Sequence, residues 1–143
     1  MRIYSGDTSF NWYNALVLAE SSQLVYENKK TVESFLRKAW GFDSVTQINA
    51  DNTEVFIARR NNDIIISFRG TKGKADWIRN LKVRSVNSGT FGHIHRGFSE
   101  AYDAVKSDIR DAIQMAGTSR VFLTGHSLGV SDVSAHGTDL GLG

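Results

Sequence analysis

The 143-residue sequence has no cysteine and no proline, and its apolar runs are short. The lack of cysteine excludes disulfide scaffolds, thiolate zinc sites and cysteine nucleophiles. Runs such as residues 64–66 fall far below the roughly 20 residues that span a bilayer. Residues 1–7 lack the apolar centre of a secretory signal. We therefore expect neither a membrane span nor a signal peptide in this chain, and a cytoplasmic location is the default.

The composition that is present is typical of a globular domain, with 41% hydrophobic, 22% charged and 10% aromatic residues. At this length about two-thirds of the unfolded surface can be buried, so a core forms without disulfides or metals. No repeat and no Gly/Ser-rich linker divides the sequence. These observations predict a single domain over residues 1–143.

Charge is unevenly distributed along the chain. Between Arg59 and Arg96, nine lysines and arginines stand against two aspartates, although the net charge of the whole chain is only +2. Such a stretch attracts anionic surfaces, yet no nucleic-acid recognition motif or interleaved aromatic residues accompany it. We expect a solvated surface and no nucleic-acid partner, with an anionic interface as the functional alternative.

In the first half of the chain, residue periodicity predicts two helices and three strands. A largely buried helix is expected over residues 12–26, with Asn11 as its cap, and a second helix over residues 31–40 that stops at Gly41. Segments rich in β-branched and aromatic residues then predict strands. They lie at residues 45–48, 54–59 and 63–68. The last two form an antiparallel hairpin with asparagines in its turn.

In the second half, one helix is followed directly by an apolar strand. Apolar residues spaced by three or four predict a helix over residues 98–113, which Gly117 ends. Residues 120–125 are almost continuously apolar, as in a strand buried on both faces. This order predicts an α/β fold in which a mostly parallel sheet is flanked by helices.

A glycine-flanked serine follows that strand. Residues 125–129 read Gly-His-Ser-Leu-Gly, which matches G-x-S-x-G. In such a turn the serine hydroxyl is exposed on a sharp bend between strand and helix, and side chains at the flanking positions would crowd the backbone. The context indicates a nucleophile elbow with Ser127 as the nucleophile. The alternative is a tight turn without a catalytic role.

Acyl transfer by serine also requires donors for the oxyanion that develops on the substrate. The backbone N–H of Leu128, the residue after the nucleophile, is the first candidate. The second is expected from a loop after an earlier strand, and residues 68–71, Phe-Arg-Gly-Thr, supply one. Thr71 offers both an N–H and a hydroxyl. Without Ser127, this segment would be read as an ordinary exit from a strand.

Taken together, these motifs resemble the N-terminal half of a class 3 (fungal-type) triacylglycerol lipase, a family of α/β-hydrolases. The similarity covers about residues 12–129, in matching order and spacing. Its specific pieces are Phe-Ile-Ala-Arg at 56–59, Ile-Ile-Ser-Phe-Arg-Gly-Thr at 65–71, Asp-Trp-Ile-Arg-Asn-Leu at 76–81, His-Arg-Gly-Phe at 95–98 and Val-Phe-Leu-Thr-Gly-His-Ser-Leu-Gly at 121–129.

The resemblance implies ester or lipid substrates, a possible lipid interface and hydrolysis through an acyl-enzyme on Ser127. It implies an oxyanion hole from Thr71 and Leu128, and no cofactor or metal. It further implies a mobile lid over residues 72–81, containing Lys72, Trp77 and Ile78, although packing of the last two in the core is an equal alternative. Family members include secreted enzymes, so secretion stays open.

The resemblance ends in a divergent tail, residues 130–143, that is rich in glycine and short polar residues. In α/β-hydrolases the acid and histidine of the triad follow the serine on later strands. The sequence offers three weak substitutes, His95, His136 and Asp132. His136 is roughly 13 Å from Ser127 if the tail is helical, at 1.5 Å per residue, which is too far for proton transfer. We therefore expect a truncated or impaired enzyme.

Two hypotheses of different classes remain open. The first is a lipase-type carboxylester hydrolase, and the second is an inert lipid-surface or partner-binding remnant of a lipase. In either case the strand over residues 121–124 should lie at an edge of the sheet, with unpaired backbone groups. We expect a second copy of the chain to cover this edge in a homo-oligomer.

Overall fold

The computed structural model describes residues 10–50, 53–70, 85–87, 93–117 and 120–126. The predicted elements occur in the predicted order, with bounds that differ by a few residues at most ends, and two short strands before the third helix were not predicted. The elements are α1 (Trp12–Leu24), α2 (Lys29–Lys38), β1 (Ser44–Ala50), β2 (Thr53–Arg60), β3 (Asp63–Phe68), β4 (Ser85–Asn87), β5 (His93–His95), α3 (Arg96–Ala116) and β6 (Arg120–Gly125). Within these ranges, no helix is long and apolar enough to cross a membrane.

Local signals define the helix ends. The Asn11 side-chain oxygen accepts hydrogen bonds from the backbone N–H groups of Tyr13, at 2.9 Å, and Asn14, at 3.1 Å. It thereby satisfies two donors that have no partner inside the helix. At the other end of the chain, Gly117 follows α3 with φ of 64°, a left-handed conformation that ends a helix. Both predicted signals are confirmed.

Four strands form one sheet in the order β1-β2-β3-β6. The first two pairings are antiparallel, and β3 pairs with β6 in parallel. The predicted hairpin is confirmed, with Asn61 in its turn at φ of 50°. The α/β class is confirmed as well, but the described sheet is mixed rather than mostly parallel. Two-residue connections join β1, β2 and β3, and such short connections are possible only between antiparallel strands.

The sheet lies between two helical layers, because side chains alternate between its faces along each strand. On one face, Phe56, Ala58 and Ile65 pack with buried residues of α1 and α2, including Val17 and Leu36. The opposite face packs against α3 and forms a second core, with buried members Val55, Ile57, Ile64, Ile66, Phe68, Val105 and Ile109. Strands β2 and β3 are therefore buried on both sides.

Two burial predictions are wrong. Helix α1 was expected to be largely buried, yet it buries only one narrow line of residues, Val17 and Ser21, and Trp12 is 82% exposed. A helix that packs on one face of a sheet buries the stripe that faces the sheet and leaves its opposite side in contact with solvent. Strand β6 was expected to be fully buried, but all its residues are half-buried. It stands last in the described strand order, which agrees with the predicted edge position.

The segment before α3 contains a short strand that the residue patterns did not predict. Residues 93–95 form β5, which pairs with β4 in an antiparallel two-stranded sheet. The candidate His95 is therefore the last residue of a strand, directly before α3, and it pairs with Ser85. A three-residue strand is stabilised by its partner, so its own sequence carries little signal.

Candidate active site

The candidate site lies where β3 and β6 end side by side. In the parallel register, Phe68 pairs with Gly125, the last residue of each strand. Neighbouring strands are about 4.8 Å apart. The segment that leads to Thr71 and the segment that leads to Ser127 therefore begin next to each other, at the carboxyl ends of these two strands. Gly70, in the first of these segments, is buried.

Helix α1 is fixed across the ends of both strands by two hydroxyl groups. Ser67 donates a hydrogen bond to the carbonyl of Ser21 at 2.9 Å, and Thr124 donates to the carbonyl of Leu18 at 2.9 Å. Ser67 and Thr124 are themselves register partners. Two adjacent positions of the parallel pair are thus tied to consecutive turns of one helix.

Tyr26, which follows α1, contacts the residue that comes directly after each of the two strands. Because side chains alternate, Arg69 shares a side with Ser67, and His126 shares a side with Thr124. The Tyr26 hydroxyl is 3.2 Å from Nδ1 of His126, and their ring centroids are 5.7 Å apart in an edge-to-face arrangement. The Arg69 guanidinium carbon is 5.1 Å from the centre of the Tyr26 ring. Tyr26 therefore contacts both segments.

Arg69 is also held from the neighbouring strand. Its guanidinium forms an ion pair with the Glu54 carboxylate, and its backbone N–H donates to the Glu54 carbonyl at 2.8 Å. The two side chains are 12% and 22% exposed, respectively. Removing one partner of a pair so largely withdrawn from water leaves the other charge poorly compensated. This pair fixes the first residue after β3 to β2.

Most of the predicted site residues lie outside the described residues. These are Ser127, Leu128, Thr71, the lid residues Lys72, Trp77 and Ile78, and the candidate partners Asp132 and His136. His95 is described as part of β5. The structure does place the strands that precede Thr71 and Ser127 next to each other. Within the described ranges, no group of three histidine or carboxylate residues could hold a metal ion.

Sequence reasoning missed Tyr26 and Arg69 as neighbours of the site. Tyr26 and His126 are 100 positions apart, so no local pattern connects them. Arg69 lies inside a motif that was recognised, but its contacts depend on Glu54 in another strand. One sequence signal could have identified them. Side chains alternate along a strand, so Ser67 and Arg69 lie on the same side of β3, and Thr124 and His126 lie on the same side of β6.

Comparison with known proteins gives one family and a set of similar folds. The family model for lipase (class 3) matches residues 65–138, just over half of the chain. The matched range contains both Thr71 and Ser127, and it continues past residue 129, where the resemblance seen from motifs ends.

Solved structures agree in fold. The Rhizomucor miehei triacylglyceride lipase has 21% identity and a TM-score of 0.63, over 92% of this chain and 56% of that one. MDLA of Penicillium cyclopium has 19% identity and a TM-score of 0.67, over 96% and 60%. A triacylglycerol lipase described as having a serine protease triad as its catalytic centre has 21% identity and a TM-score of 0.61, over 92% and 56%. This chain thus spans a little over half the length of these structures.

Proposed function

Since this chain belongs to the class 3 lipase family, we propose that it is a serine carboxylester hydrolase that acts on acylglycerols or shorter esters. One observation carries the proposal: the parallel register that ends β3 and β6 at Phe68 and Gly125, side by side. Three residues lead from Phe68 to Thr71, and two lead from Gly125 to Ser127. Thr71 and Ser127 are therefore each within three residues of the paired carboxyl ends of β3 and β6.

The proposed chemistry proceeds through an acyl-enzyme. The Ser127 oxygen attacks the ester carbonyl, and a base takes the serine proton and delivers it to the departing alcohol as the ester C–O bond breaks. Water then hydrolyses the acyl-enzyme and regenerates the serine. The N–H of Leu128 and the N–H or hydroxyl of Thr71 would hold the negative oxygen. His95, His136 and Asp132 remain candidates for the base and its orienting acid.

We also propose low turnover for the 143-residue chain. In α/β-hydrolases the acid and histidine of the triad follow the nucleophile on loops after later strands. The residues after Ser127 in this sequence include one histidine, His136, within a glycine-rich stretch. A serine hydroxyl without a positioned base is a weak nucleophile at neutral pH, so acylation should be slow.

Three further parts of the proposal concern the surroundings of the site. Residues 72–81, with Lys72, Trp77 and Ile78, would form a lid that opens at a lipid interface. The cationic stretch from Arg59 to Arg96 supports binding to an anionic interface. A second copy of the chain would cover β6, which stands last in the described strand order and is half-buried along its length.

The experiment is hydrolysis of p-nitrophenyl butyrate by the chain, by Ser127→Ala and by the control Ser131→Ala. We expect Ser127→Ala to lower the rate to that of the uncatalysed background, since the acyl-enzyme can no longer form, and Ser131→Ala to stay within about twofold of the unsubstituted chain. Equal rates for all three proteins would contradict the enzyme proposal and favour the alternative, an inert lipid-surface or partner-binding module. Salt-sensitive binding to anionic vesicles would then support that alternative.

A further inference from the structure

We infer that Tyr26 is a positioning residue that sets the distance between the segment carrying Thr71 and the segment carrying Ser127. The inference rests on the proposed function. Tyr26 contacts the residue before Gly70-Thr71 through its ring and the residue before Ser127 through its hydroxyl. The Tyr26 side chain therefore bridges the two segments.

The position of Tyr26 is fixed by the backbone that precedes it. Two hydroxyl groups of the sheet tie α1 to β3 and β6, and Val25, directly before the tyrosine, is fully buried. The Tyr26 N–H donates to the carbonyl of Gln23 at 3.1 Å, which continues the last turn of the helix. The ring is therefore presented at the strand ends by a docked element rather than by a free loop.

Contact with His126 transmits this position to the proposed nucleophile. The hydroxyl lies 3.2 Å from Nδ1, and the ring edge packs on the imidazole. Ser127 is the next residue, and consecutive Cα atoms are about 3.8 Å apart. A displacement of His126 therefore displaces the start of the turn that carries the serine. Whichever partner donates the proton, the hydrogen bond joins α1 to β6.

Contact with Arg69 transmits the same position to the other segment. The guanidinium lies between the Tyr26 ring and the Glu54 carboxylate, so it is held from α1 and from β2 together. Thr71 follows two residues later. Three successive contacts, Glu54–Arg69, Arg69–Tyr26 and Tyr26–His126, thus connect β2 with the segments that follow β3 and β6.

These contacts set the distance between the two proposed oxyanion donors and the serine, and this distance should affect the rate of the reaction more than substrate binding. Donors of an oxyanion hole act only when they lie close to the position of the developing charge, and small misplacements cost large factors in rate. Loss of the Tyr26 hydroxyl should therefore lower kcat and leave KM nearly unchanged. A residue that only stabilises the fold would change the amount of folded protein and leave the kinetic constants of that protein unaltered.

The test uses Tyr26→Phe, which removes the hydroxyl but keeps the ring, with Tyr13→Phe on α1 as the matched control. The substrate is p-nitrophenyl butyrate, and rates are corrected for folded protein. We expect Tyr26→Phe to lower kcat about tenfold with KM within twofold, and Tyr13→Phe to change neither. An unchanged kcat in Tyr26→Phe, with the reaction still dependent on Ser127, would overturn the positioning inference alone. A reaction independent of Ser127 in the unsubstituted chain would overturn the proposed function and this inference with it.

A second pair of variants keeps the test decisive if Tyr26→Phe does not fold. The amide of His126→Asn occupies the position of Nδ1 and can still bond the tyrosine, whereas the amide of His126→Gln reaches the position of Nε2. We expect His126→Asn to retain at least half of kcat and His126→Gln to lose about tenfold. Equal kcat values for the two variants would contradict the role of the hydrogen bond.

Discussion

The two ends of the β3–β6 pair contain similar ion pairs and arginine–aromatic contacts, but these contacts connect different parts of the chain. At the amino end, Arg120 forms an ion pair with Asp63, and its guanidinium carbon is 5.4 Å from the Phe122 ring centre. At the carboxyl end, Arg69 forms an ion pair with Glu54 and lies 5.1 Å from the Tyr26 ring centre. Each end thus has an arginine, a carboxylate and an aromatic ring.

The difference lies in what the arginine connects. The Arg120 contacts join β6 to the start of β3 and its turn, where the Arg120 N–H also donates to the Asn62 carbonyl at 2.7 Å. The carboxyl end adds Tyr26 of a third element, α1, and through it His126. The contacts at the amino end therefore hold β6 on β3, whereas those at the carboxyl end orient the segment after β3 relative to the segment after β6. The same chemistry should affect stability at one end, and both stability and rate at the other.

The largest expected effect is that of Arg69→Ala. It removes the ion pair and the ring contact together, so the partly buried Glu54 carboxylate loses the compensating charge of Arg69. We expect a loss of about 3 kcal/mol in the free energy of unfolding and a fall of roughly 100-fold in the Ser127-dependent kcat. Urea unfolding and p-nitrophenyl ester hydrolysis measure the two quantities. A variant that loses stability but keeps its kcat per folded molecule would remove the distinction between the ends.

Arg120→Ala is the matching change at the amino end. The Asp63 carboxylate that remains is only 15% exposed, so its charge is left poorly compensated, as that of Glu54 is at the other end. We expect a loss of about 3 kcal/mol in the free energy of unfolding and a kcat within twofold of the unsubstituted chain. A tenfold fall in kcat for this variant would mean that the amino end also positions the site.

Ser67→Ala tests the docking of α1 on β3. The buried hydroxyl donates to the Ser21 carbonyl, and its loss should cost about 1 kcal/mol in the free energy of unfolding. The control is Ser22→Ala, because the exposed Ser22 hydroxyl bonds a carbonyl of its own helix. The two variants should differ by more than about 0.5 kcal/mol. Equal urea midpoints would indicate that α1 is held by apolar packing alone.

The smallest effect is expected for Glu33→Gln on α2. Glu33 and Arg37 form an ion pair with side chains that are 42% and 44% exposed. Exposed pairs of this spacing contribute roughly 0.3–0.5 kcal/mol to stability. A shift above about 1 kcal/mol in the free energy of unfolding would show that exposure is a poor guide to the strength of ion pairs in this chain.

Local sequence signals predicted the elements well and their partners poorly. Asn11, the hairpin turn at Asn61 and the end of α3 at Gly117 follow from residue types within a few positions. The exposure of Trp12 and the half-burial of β6 depend on which neighbours the fold supplies. The Tyr26–His126 contact is the extreme case, because its partners come from the first helix and the last described strand.

The site itself was predictable in part for the same reason. A glycine-flanked serine after an apolar strand is a local pattern, and so is the Arg-Gly-Thr segment after β3. That these two segments begin beside each other depends on the parallel pairing of β3 with β6, which joins residues 57 positions apart. The residue patterns predicted a mostly parallel sheet but did not identify these two strands as neighbours.

The most direct test of the central claim is covalent labelling of the chain with diethyl p-nitrophenyl phosphate, followed by peptide mass mapping. A serine that lies beside oxyanion donors should attack the phosphorus, displace p-nitrophenol and become phosphorylated, although slowly if no base is positioned beside it. The account predicts label on Ser127 alone, none in Ser127→Ala, and slower labelling in Tyr26→Phe. Equal labelling of Ser127→Ala, or label spread over serines elsewhere in the chain, would contradict it.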